Sequence, residues 1–305
     1  MATARGLAAA AIESLTGWGR RRGEPRSVDD VAHLASARIS GRYSATRAQL
    51  KAALTTMANG RGERTADVIR LTEVGSAEHR QALVEWARAN GFWLFHARGR
   101  GEGECALLGR RGTTRLLRAD ALETTHMRLR TSRDAPLTVL AAAVEVTKTG
   151  QVVLVSEMHT PARVSTPGGF RGGWPSKVHR AMTAGAARAL RKWRRGLPKE
   201  MRRRIVGRSY GADWNMHLVL GWAVLYLRTR WPNLRIAAKR LVRTHRGGRV
   251  IDAELTDLET SQPTVVMGRL PGFDHWWTWT VYRLTWRPWQ IRLGADDPRY
   301  REIPG

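Results

Sequence analysis

The stretch Gly211-Ala212-Asp213-Trp214-Asn215 places a carboxylate and an amide shortly after a strand predicted at residues 204–206. On extended backbone, side chains two positions apart point to the same side, so Asp213 and Asn215 can serve one site. One of them can orient a water or a metal ion while the other donates a hydrogen bond to a phosphate oxygen. Aspartate and asparagine are also common in ordinary turns, so this stretch alone leaves both interpretations open.

A second polar stretch, Gly272-Phe273-Asp274-His275, lies further along the chain. Adjacent side chains diverge on a regular strand, so Asp274 and His275 can share a site only where the strand gives way to a loop. The preceding Pro271-Gly272 permits such a break. A histidine there can act as a general base if a carboxylate fixes its tautomer. A buried histidine with satisfied hydrogen bonds is the more ordinary interpretation.

Two further polar residues follow predicted strands upstream. Glu73 comes just after the apolar run Val68–Leu71, and His159 follows another strand. Mg²⁺ prefers one or two carboxylates together with waters and a substrate phosphate, and a carboxylate at a strand end suits that role. Taken alone, Glu73 is more simply a surface glutamate. Together, the four sites provide what phosphodiester hydrolysis needs, which is a cation against the phosphate and an activated water.

Short apolar runs alternate with helical segments from Ala48 onward. Strands are predicted at residues 50–57, 68–71, 92–96, 104–108, 138–146, 152–158, 204–206, 251–255, 264–267 and 276–284. Helices are predicted at residues 29–39, 78–90, 178–193 and 218–230. This mixture predicts an α/β fold with two facing mixed β-sheets flanked by helices, a four-layer α/β sandwich.

The composition is strongly basic. The 305 residues include 52 Lys and Arg against 26 Asp and Glu, which gives a net charge of +26. Such an excess predicts attraction to polyanions, of which nucleic acid is the commonest large one. Basic side chains gather between residues 188 and 204, either as a solvated helical face or as a phosphate-binding patch.

We expect three regions along the chain. Residues 1–47 form a basic, partly flexible N-terminal arm, residues 48–290 a metal-dependent phosphodiesterase domain, and residues 291–305 a C-terminal tail. Cys105 is the single cysteine, so neither an intrachain disulfide nor a thiolate zinc cluster can form, which fits a cytoplasmic protein. The longest apolar stretch, 218–227, is too short to span a membrane, which predicts a soluble protein.

The order of these motifs resembles that of the endonuclease/exonuclease/phosphatase superfamily, to which pancreatic deoxyribonuclease and the abasic-site endonucleases belong. The resemblance runs from about Leu54 to Tyr282. The stretch 211–215 resembles the family's Gly-Asp-x-Asn motif, with alanine in the glycine position. Residues 71–73 resemble its Leu-Gln-Glu motif with threonine for glutamine, and residues 273–275 resemble Ser-Asp-His with phenylalanine for serine.

The resemblance implies roles for individual side chains. The catalytic residues it implies are His275, Asp213, Asn215, His159, Asp252 and Asp274. The metal-binding residues it implies are Glu73, Asp274 and Asn59, the last as the asparagine that ends the family's first strand. Glu104 resembles a less constant acidic position. The implied cofactor is Mg²⁺, with Mn²⁺ as an alternative.

The mechanism implied by the resemblance is in-line attack by water on the phosphorus. His275, oriented by Asp252, takes the proton, and Asp213 aligns the water. Asn215 and His159 stabilise the charge on the phosphoryl oxygens. For substrate binding we expect Trp174 to stack on a base and Arg171, Arg191 and Arg195 to contact phosphates.

Three functions remain open at this point. The first is a Mg²⁺-dependent endo- or exonuclease that acts on DNA or, with less support, on RNA. The second keeps the chemistry but acts on a phospholipid headgroup or a small phosphate ester, since the superfamily spans these substrates and membrane surfaces are also anionic. The third is a non-catalytic nucleic-acid-binding protein, which the complete polar set disfavours. No protein partner can be inferred.

Overall fold

The computed structural model of the protein describes residues 31–40, 45–96, 105–124, 137–160, 177–214, 234–238, 244, 252–287 and 290. The strands in chain order are β1 (Ala32–Ser40), β2 (Val68–Thr72), β3 (Phe92–His96), β4 (Cys105–Arg110), β5 (Thr114–Thr124), β6 (Leu137–Val146), β7 (Val152–His159), β8 (Ile205–Asp213), β9 (Arg235–Ile236), β10 (Asp252–Thr256), β11 (Glu259–Arg269) and β12 (Trp276–Leu284). The helices are α1 (Arg47–Asn59), α2 (Ala77–Ala89), α3 (Lys177–Arg195) and α4 (Lys199–Arg204).

The strands form two mixed sheets of six strands each. The first sheet has the order β11-β12-β1-β2-β4-β3 and the second the order β5-β6-β7-β8-β10-β9. The pairs β1–β2 and β7–β8 are parallel, and the other paired neighbours are antiparallel. Side chains of β1 and β2 bond to side chains of β7, β8 and β10, so the sheets face one another. The expected fold class is confirmed.

The apolar cores lie on the outer faces of the sheets, under the helices. The core of the first sheet includes Ala37, Ile39, Ile69 and Leu71 from β1 and β2, Leu50 and Leu54 from α1, and Leu83 from α2. The core of the second sheet includes Ala141, Leu154, Tyr210 and Ala212 from its strands, and Ala186 and Leu190 from α3. Each helix therefore fixes the outer face of one sheet.

The inner faces of the central strands are polar. Alternate residues of a strand point to opposite faces, so the residues between the core positions point toward the other sheet. These buried polar residues are Ser36, Arg38, Ser40, Arg70, Thr72, Glu157, His159, Ser209, Asp213, Asp252, Glu254, Thr278 and Thr280. The layer between the sheets therefore carries buried charge, and its end forms the candidate site.

The helix predicted at residues 29–39 is wrong over residues 32–39, which lie in strand β1. Alanines at positions 32, 35 and 37 favour a helix locally, but β1 pairs with β2 on one side and β12 on the other. The described part of the domain therefore begins before residue 48, and β1 belongs to the first sheet rather than to an N-terminal arm. Residues 32–284 form a compact unit.

The strand predicted at residues 50–57 is also wrong, because these residues lie in helix α1. Thr46 caps the helix and forms a capping box with Gln49. Buried side chains at positions 50, 53, 54, 57 and 58 follow the helical repeat and cover the first sheet. The short apolar run was too brief to distinguish strand from helix.

The other strand predictions correspond to observed strands, although the edges differ. The prediction at 204–206 covers only the start of β8, which continues to Asp213, and strand β5 was not predicted. The helix predicted at 218–230, residues 1–30 and the expected tail at 291–305 lie outside the described residues. Among the helices that are described, none is long and apolar enough to cross a membrane.

Gly211 offers a test of this packing. A Cβ atom at Gly211 would lie 2.1 Å from Glu157 Oε2 and 3.2 Å from Arg38 Nε, both in the buried layer between the sheets. We expect Gly211→Ala to lower the free energy of unfolding by about 1–3 kcal/mol, measured by urea denaturation. Gly112→Ala is the control, because no atom lies within 4 Å of its added Cβ. Equal stability of the two variants would contradict the close packing at Gly211.

Candidate active site

Three side chains of the second sheet lie side by side because of strand register. His159 ends β7 and pairs with Asp213 at the end of β8, and Asp213 pairs with Asp252 at the start of β10. All three side chains are buried and belong to the inner face. Thr160 donates from its backbone N–H to the carbonyl of Asp213 at 2.9 Å, which holds the ends of β7 and β8 together.

The first sheet contributes Glu73, which follows directly on β2. Its backbone has a φ of 57°, and it is the one non-glycine residue with positive φ in the described part of the chain. Such a conformation costs energy and recurs at functional sites. Glu73 Oε1 lies 3.2 Å from His159 Nε2, so the side chain reaches across to the second sheet.

The loop before β12 delivers His275. Gly272 has a φ of 85°, and Phe273 closes the turn by donating from its N–H to the carbonyl of Leu270 at 3.1 Å. The Phe273 ring is buried in the core of the first sheet, whereas His275 points toward Asp252. Its Nδ1 lies 2.7 Å from Asp252 Oδ2, in a hydrogen bond between the two residues that the family resemblance paired.

Asp213 lies at the centre of the site. Its Oδ2 is 3.7 Å from Nε2 of His275 and 3.8 Å from Nε2 of His159. The hydroxyl of Ser40, the last residue of β1, donates to the same oxygen at 2.9 Å. Two imidazole nitrogens and a carboxylate oxygen therefore border one small volume, at the junction of the two sheets.

The charges around His275 favour its protonated form. Burial acts to lower the pKa of His275, but the negative charges of Asp252 and Asp213 outweigh burial and raise that pKa to about 10. Burial acts to raise the pKa of Asp252, but the positive charges of His275 and Arg38 outweigh it and hold the pKa below its usual range. His275 and Asp252 thus form an ion pair at neutral pH when no cation is bound.

In the other half of the site, the pKa values of Glu73 and His159 are shifted so that their neutral forms are favoured. Burial, together with the negative charges of Asp213 and Asp274, raises the pKa of Glu73 to about 8. Burial lowers the pKa of His159, although the charge of Asp213 acts in the other direction. A neutral imidazole therefore faces a corner crowded with carboxylates. Added positive charge would relieve that crowding, so the donor set fits a divalent cation.

The described residues contain one group that could hold a metal, formed by Asp213, Asp252 and His275, whose ligand atoms lie within 4.8 Å of one another. Both oxygens of Asp252 and Nδ1 of His275 are already hydrogen-bonded, however. Glu73 has a raised pKa and a side chain that is 22% exposed, so it is better placed to accept a cation. Asp274 is half-buried and close enough to influence Glu73.

Of the predicted site residues that the structure describes, most lie together and the others are separate from them. Glu73, His159, Asp213, Asp252 and His275 meet, and Asp274 adjoins them. The predicted residues Asn215, Trp174, Arg171 and Glu104 lie outside the described residues.

Asn59 does not belong to this site. It ends helix α1, and the neighbouring Ala58 accepts a hydrogen bond from the N–H of Ala66 at 3.0 Å, just before β2 begins. Asn59 thus lies beside the start of β2, whereas Glu73 follows the end of that strand. The error follows from the mistaken strand at 50–57. The first strand ends instead at Ser40, whose hydroxyl contacts Asp213.

Arg191 and Arg195 lie in the last part of α3 and do not reach the site. Because β7 and β8 are parallel, the segment between them must carry the chain from His159 back to the opposite end of the sheet. Helix α3 runs in that direction, because Gly185 lies beside Thr124 at the site end of β5 and Trp193 Nε1 donates to Asp120 Oδ2 at 2.6 Å, further from that end. Its C-terminal residues therefore lie toward the start of β8. That strand spans roughly 25 Å at 3.3 Å per residue.

Sequence reasoning missed several residues of the site. Ser40 and Thr72 share a hydroxyl hydrogen bond of 2.6 Å beside Asp213, and Arg38 donates to Asp252 at 2.7 Å. The motif comparison identifies Thr72 only as the residue in the glutamine position. An alternation of polar with small apolar residues over 34–40 is the pattern that could have identified β1 and its inward side chains.

The sequence matches no protein-family model and no curated protein. Among solved structures, an endonuclease/exonuclease/phosphatase from Bacteroides vulgatus is similar to this chain, with a TM-score of 0.63 at 11% identity over 83% of this chain and 99% of that one. The human Nocturnin catalytic domain with bound sulfate has a TM-score of 0.61 at 14% identity, covering 86% of this chain and 99% of that one.

A third similar structure is that of D. rerio TDP2 complexed with a single-strand DNA product. Its TM-score is 0.56 at 13% identity, and the match covers 82% of this chain and 99% of that one. Identities this low establish a shared fold. The chain has the fold of endonuclease/exonuclease/phosphatase family proteins, as the order of its motifs implied.

Proposed function

We propose that this protein is a divalent-cation-dependent phosphodiesterase that cleaves nucleic acid, with DNA as its first candidate substrate. One observation supports the proposal above all. His275, hydrogen-bonded to Asp252, directs its Nε2 toward the Asp213 carboxylate, with Glu73 and His159 on the other side of that carboxylate. This set provides a proton acceptor, a group to align water and groups to receive a phosphate.

Each of these residues has its own role in the proposed hydrolysis. Water attacks the phosphorus in line with the departing oxygen, and the P–O bond to that oxygen breaks. Asp213 aligns the water, and His275 accepts its proton at Nε2 while Asp252 holds Nδ1. His159 and Asn215 donate hydrogen bonds to the phosphoryl oxygens. The leaving oxygen takes a proton from solvent water and departs as a hydroxyl, and His275 later returns its proton to solvent.

Glu73, with Asp274 beside it, is the group that would hold the cation, and Mg²⁺ is the first candidate with Mn²⁺ as the alternative. Bound there, a divalent cation would offset the charges of Glu73 and Asp213, lower the pKa of His275 and polarise the phosphate. The fold keeps these carboxylates close together and partly buried. Glu73 has its raised pKa for that reason.

The net charge of +26 supports a polyanionic substrate. The similar TDP2 structure holds a single-strand DNA product, which supports DNA among the polyanions. We further propose that Trp174 and Arg171, from the segment after His159, contact the substrate. Cys105 is buried and is the only cysteine, which supports a reducing cytoplasm as the setting. RNA, a phospholipid headgroup and a small phosphate ester are the alternative substrates.

Cation binding provides a first test. We expect Glu73→Gln to weaken binding of Mn²⁺ by about 10-fold or more, because the amide keeps the shape but cannot ionise to bind the ion. Isothermal titration without substrate measures this directly. Glu123→Gln is the control, since Glu123 is an exposed glutamate of β5. Equal loss in both variants, or none in Glu73→Gln, would contradict a role for Glu73 in holding the cation.

Cleavage provides the second test. Purified protein is incubated with supercoiled plasmid, structured RNA and phospholipid vesicles, each with Mg²⁺ or with EDTA. We expect plasmid nicking that requires the cation and falls at least about 100-fold in Asp213→Ala and His275→Gln, which remove the water-aligning and proton-accepting groups. His33→Gln is the control, because His33 is an exposed histidine.

Each outcome of this assay has a distinct meaning. Cleavage of RNA alone would make RNA the substrate instead of DNA. Release of a phosphorylated headgroup from vesicles alone would make a phospholipid the substrate instead of nucleic acid. Binding of nucleic acid without cleavage under any divalent cation would overturn the enzymatic proposal. Nicking that persists in EDTA would contradict the cation requirement.

A further inference from the structure

Arg38 is a buried arginine whose side chain the proposed mechanism does not use. It lies in β1 with 1% of its surface exposed and points between the sheets. Its Nε donates to Glu157 Oε1 at 2.8 Å, and its Nη1 donates to Asp252 Oδ1 at 2.7 Å. A buried guanidinium is costly unless it is paired, so these carboxylates account for its presence between the sheets.

Arg38 completes the hydrogen bonding of Asp252. Oδ1 of Asp252 accepts from Arg38, and Oδ2 is paired with Nδ1 of His275 at 2.7 Å. With both oxygens engaged, the plane of the carboxylate is fixed. Arg38 comes from the first sheet and Asp252 from the second, so the contact also ties β1 to β10 next to the site.

We propose that Arg38 is a positioning residue, which fixes the orientation of the Asp252 carboxylate so that His275 keeps its Nδ1 on Asp252 and its Nε2 toward Asp213. Its effect on catalysis rests on the hydrolytic function proposed above. A planar guanidinium suits this role, because its donors lie in fixed directions and it stays charged when buried. Glu157 supports Arg38 by accepting from its Nε, while Nη1 donates to Asp252.

If Arg38 only stabilised the fold, loss of another buried ion pair between the sheets would affect His275 as much as loss of Arg38. The layer between the sheets contains a second buried pair, in which Arg70 Nη2 lies 3.4 Å from Glu254 Oε2. Arg70 also donates to the hydroxyl of Ser209 at 2.6 Å. This pair bridges the same two sheets and is equally buried, but Arg70 has no hydrogen bond to Asp252 or His275 among the described contacts. It therefore serves as a matched control.

The experiment compares two double variants, each of which replaces a buried ion pair with hydrophobic residues of similar length. Arg38→Met with Glu157→Met removes the support of Asp252, and Arg70→Met with Glu254→Met removes the control pair. Such exchanges often leave stability unchanged, whereas removal of one partner alone strands a buried charge. Thermal unfolding establishes that both variants fold.

The decisive readout is the imidazole signal of His275 in ¹⁵N-histidine NMR, identified by its absence in His275→Gln. We expect the hydrogen-bonded Nδ1 proton of His275 to shift and exchange faster with water in the Arg38→Met, Glu157→Met variant, and to stay unchanged in the control. We also expect kcat on the cleaved substrate to fall by up to about 100-fold in the first variant, with KM unchanged.

An unchanged Nδ1 proton in the Arg38→Met, Glu157→Met variant would overturn the proposal, as would an equal change in the control. If this double variant does not fold, Arg38→Lys replaces it, because lysine keeps the charge but lacks the planar fork. The same shift is then expected, and its absence overturns the proposal. If the wild type cleaves no substrate, the proposed function fails, but the NMR comparison still decides the role of Arg38.

Discussion

The candidate site depends on the register of three neighbouring strands in the second sheet. His159, Asp213 and Asp252 are register partners at adjoining ends of β7, β8 and β10, and all three face the first sheet. A slip of one residue in β8 would turn Asp213 outward and Trp214 inward. The outer core prevents this, because Tyr210, Ala212 and Trp214 pack beneath α3. Apolar packing on one face of β8 thus fixes the chemistry on the other.

The space between the two sheets is filled by a polar layer, whereas sandwich folds usually have apolar side chains there. Arg38 and Arg70 from the first sheet meet Glu157, Asp252 and Glu254 from the second. Burial raises the pKa of Glu157 to about 7 even though Arg38 acts to lower it, which shows the energetic cost of charge in this layer. The helices and outer faces provide the compensating apolar burial. The polar layer in turn holds the site residues in position.

Sequence reasoning placed Glu73 and His159 at strand ends, and the structure has them there, because Glu73 follows β2 and His159 ends β7. The family resemblance also implied that Asp252 holds His275, and the structure shows a hydrogen bond between the two. Sequence reasoning failed at β1, where alanines gave a helical appearance and pairing with β2 and β12 decided the structure. The Arg38–Asp252 contact joins residues 214 positions apart, and no local pattern predicts such a pair.

The central claim is that an activated water attacks the phosphorus. The position of the water oxygen in the products tests this claim most directly. Cleavage of a nucleic acid or other phosphodiester in H₂¹⁸O, followed by mass spectrometry of the products, reports which bond breaks. The mechanism predicts one ¹⁸O atom in the newly formed phosphate end and none in the hydroxyl end. Label in the hydroxyl end, or unlabelled products, would contradict attack by an activated water at phosphorus.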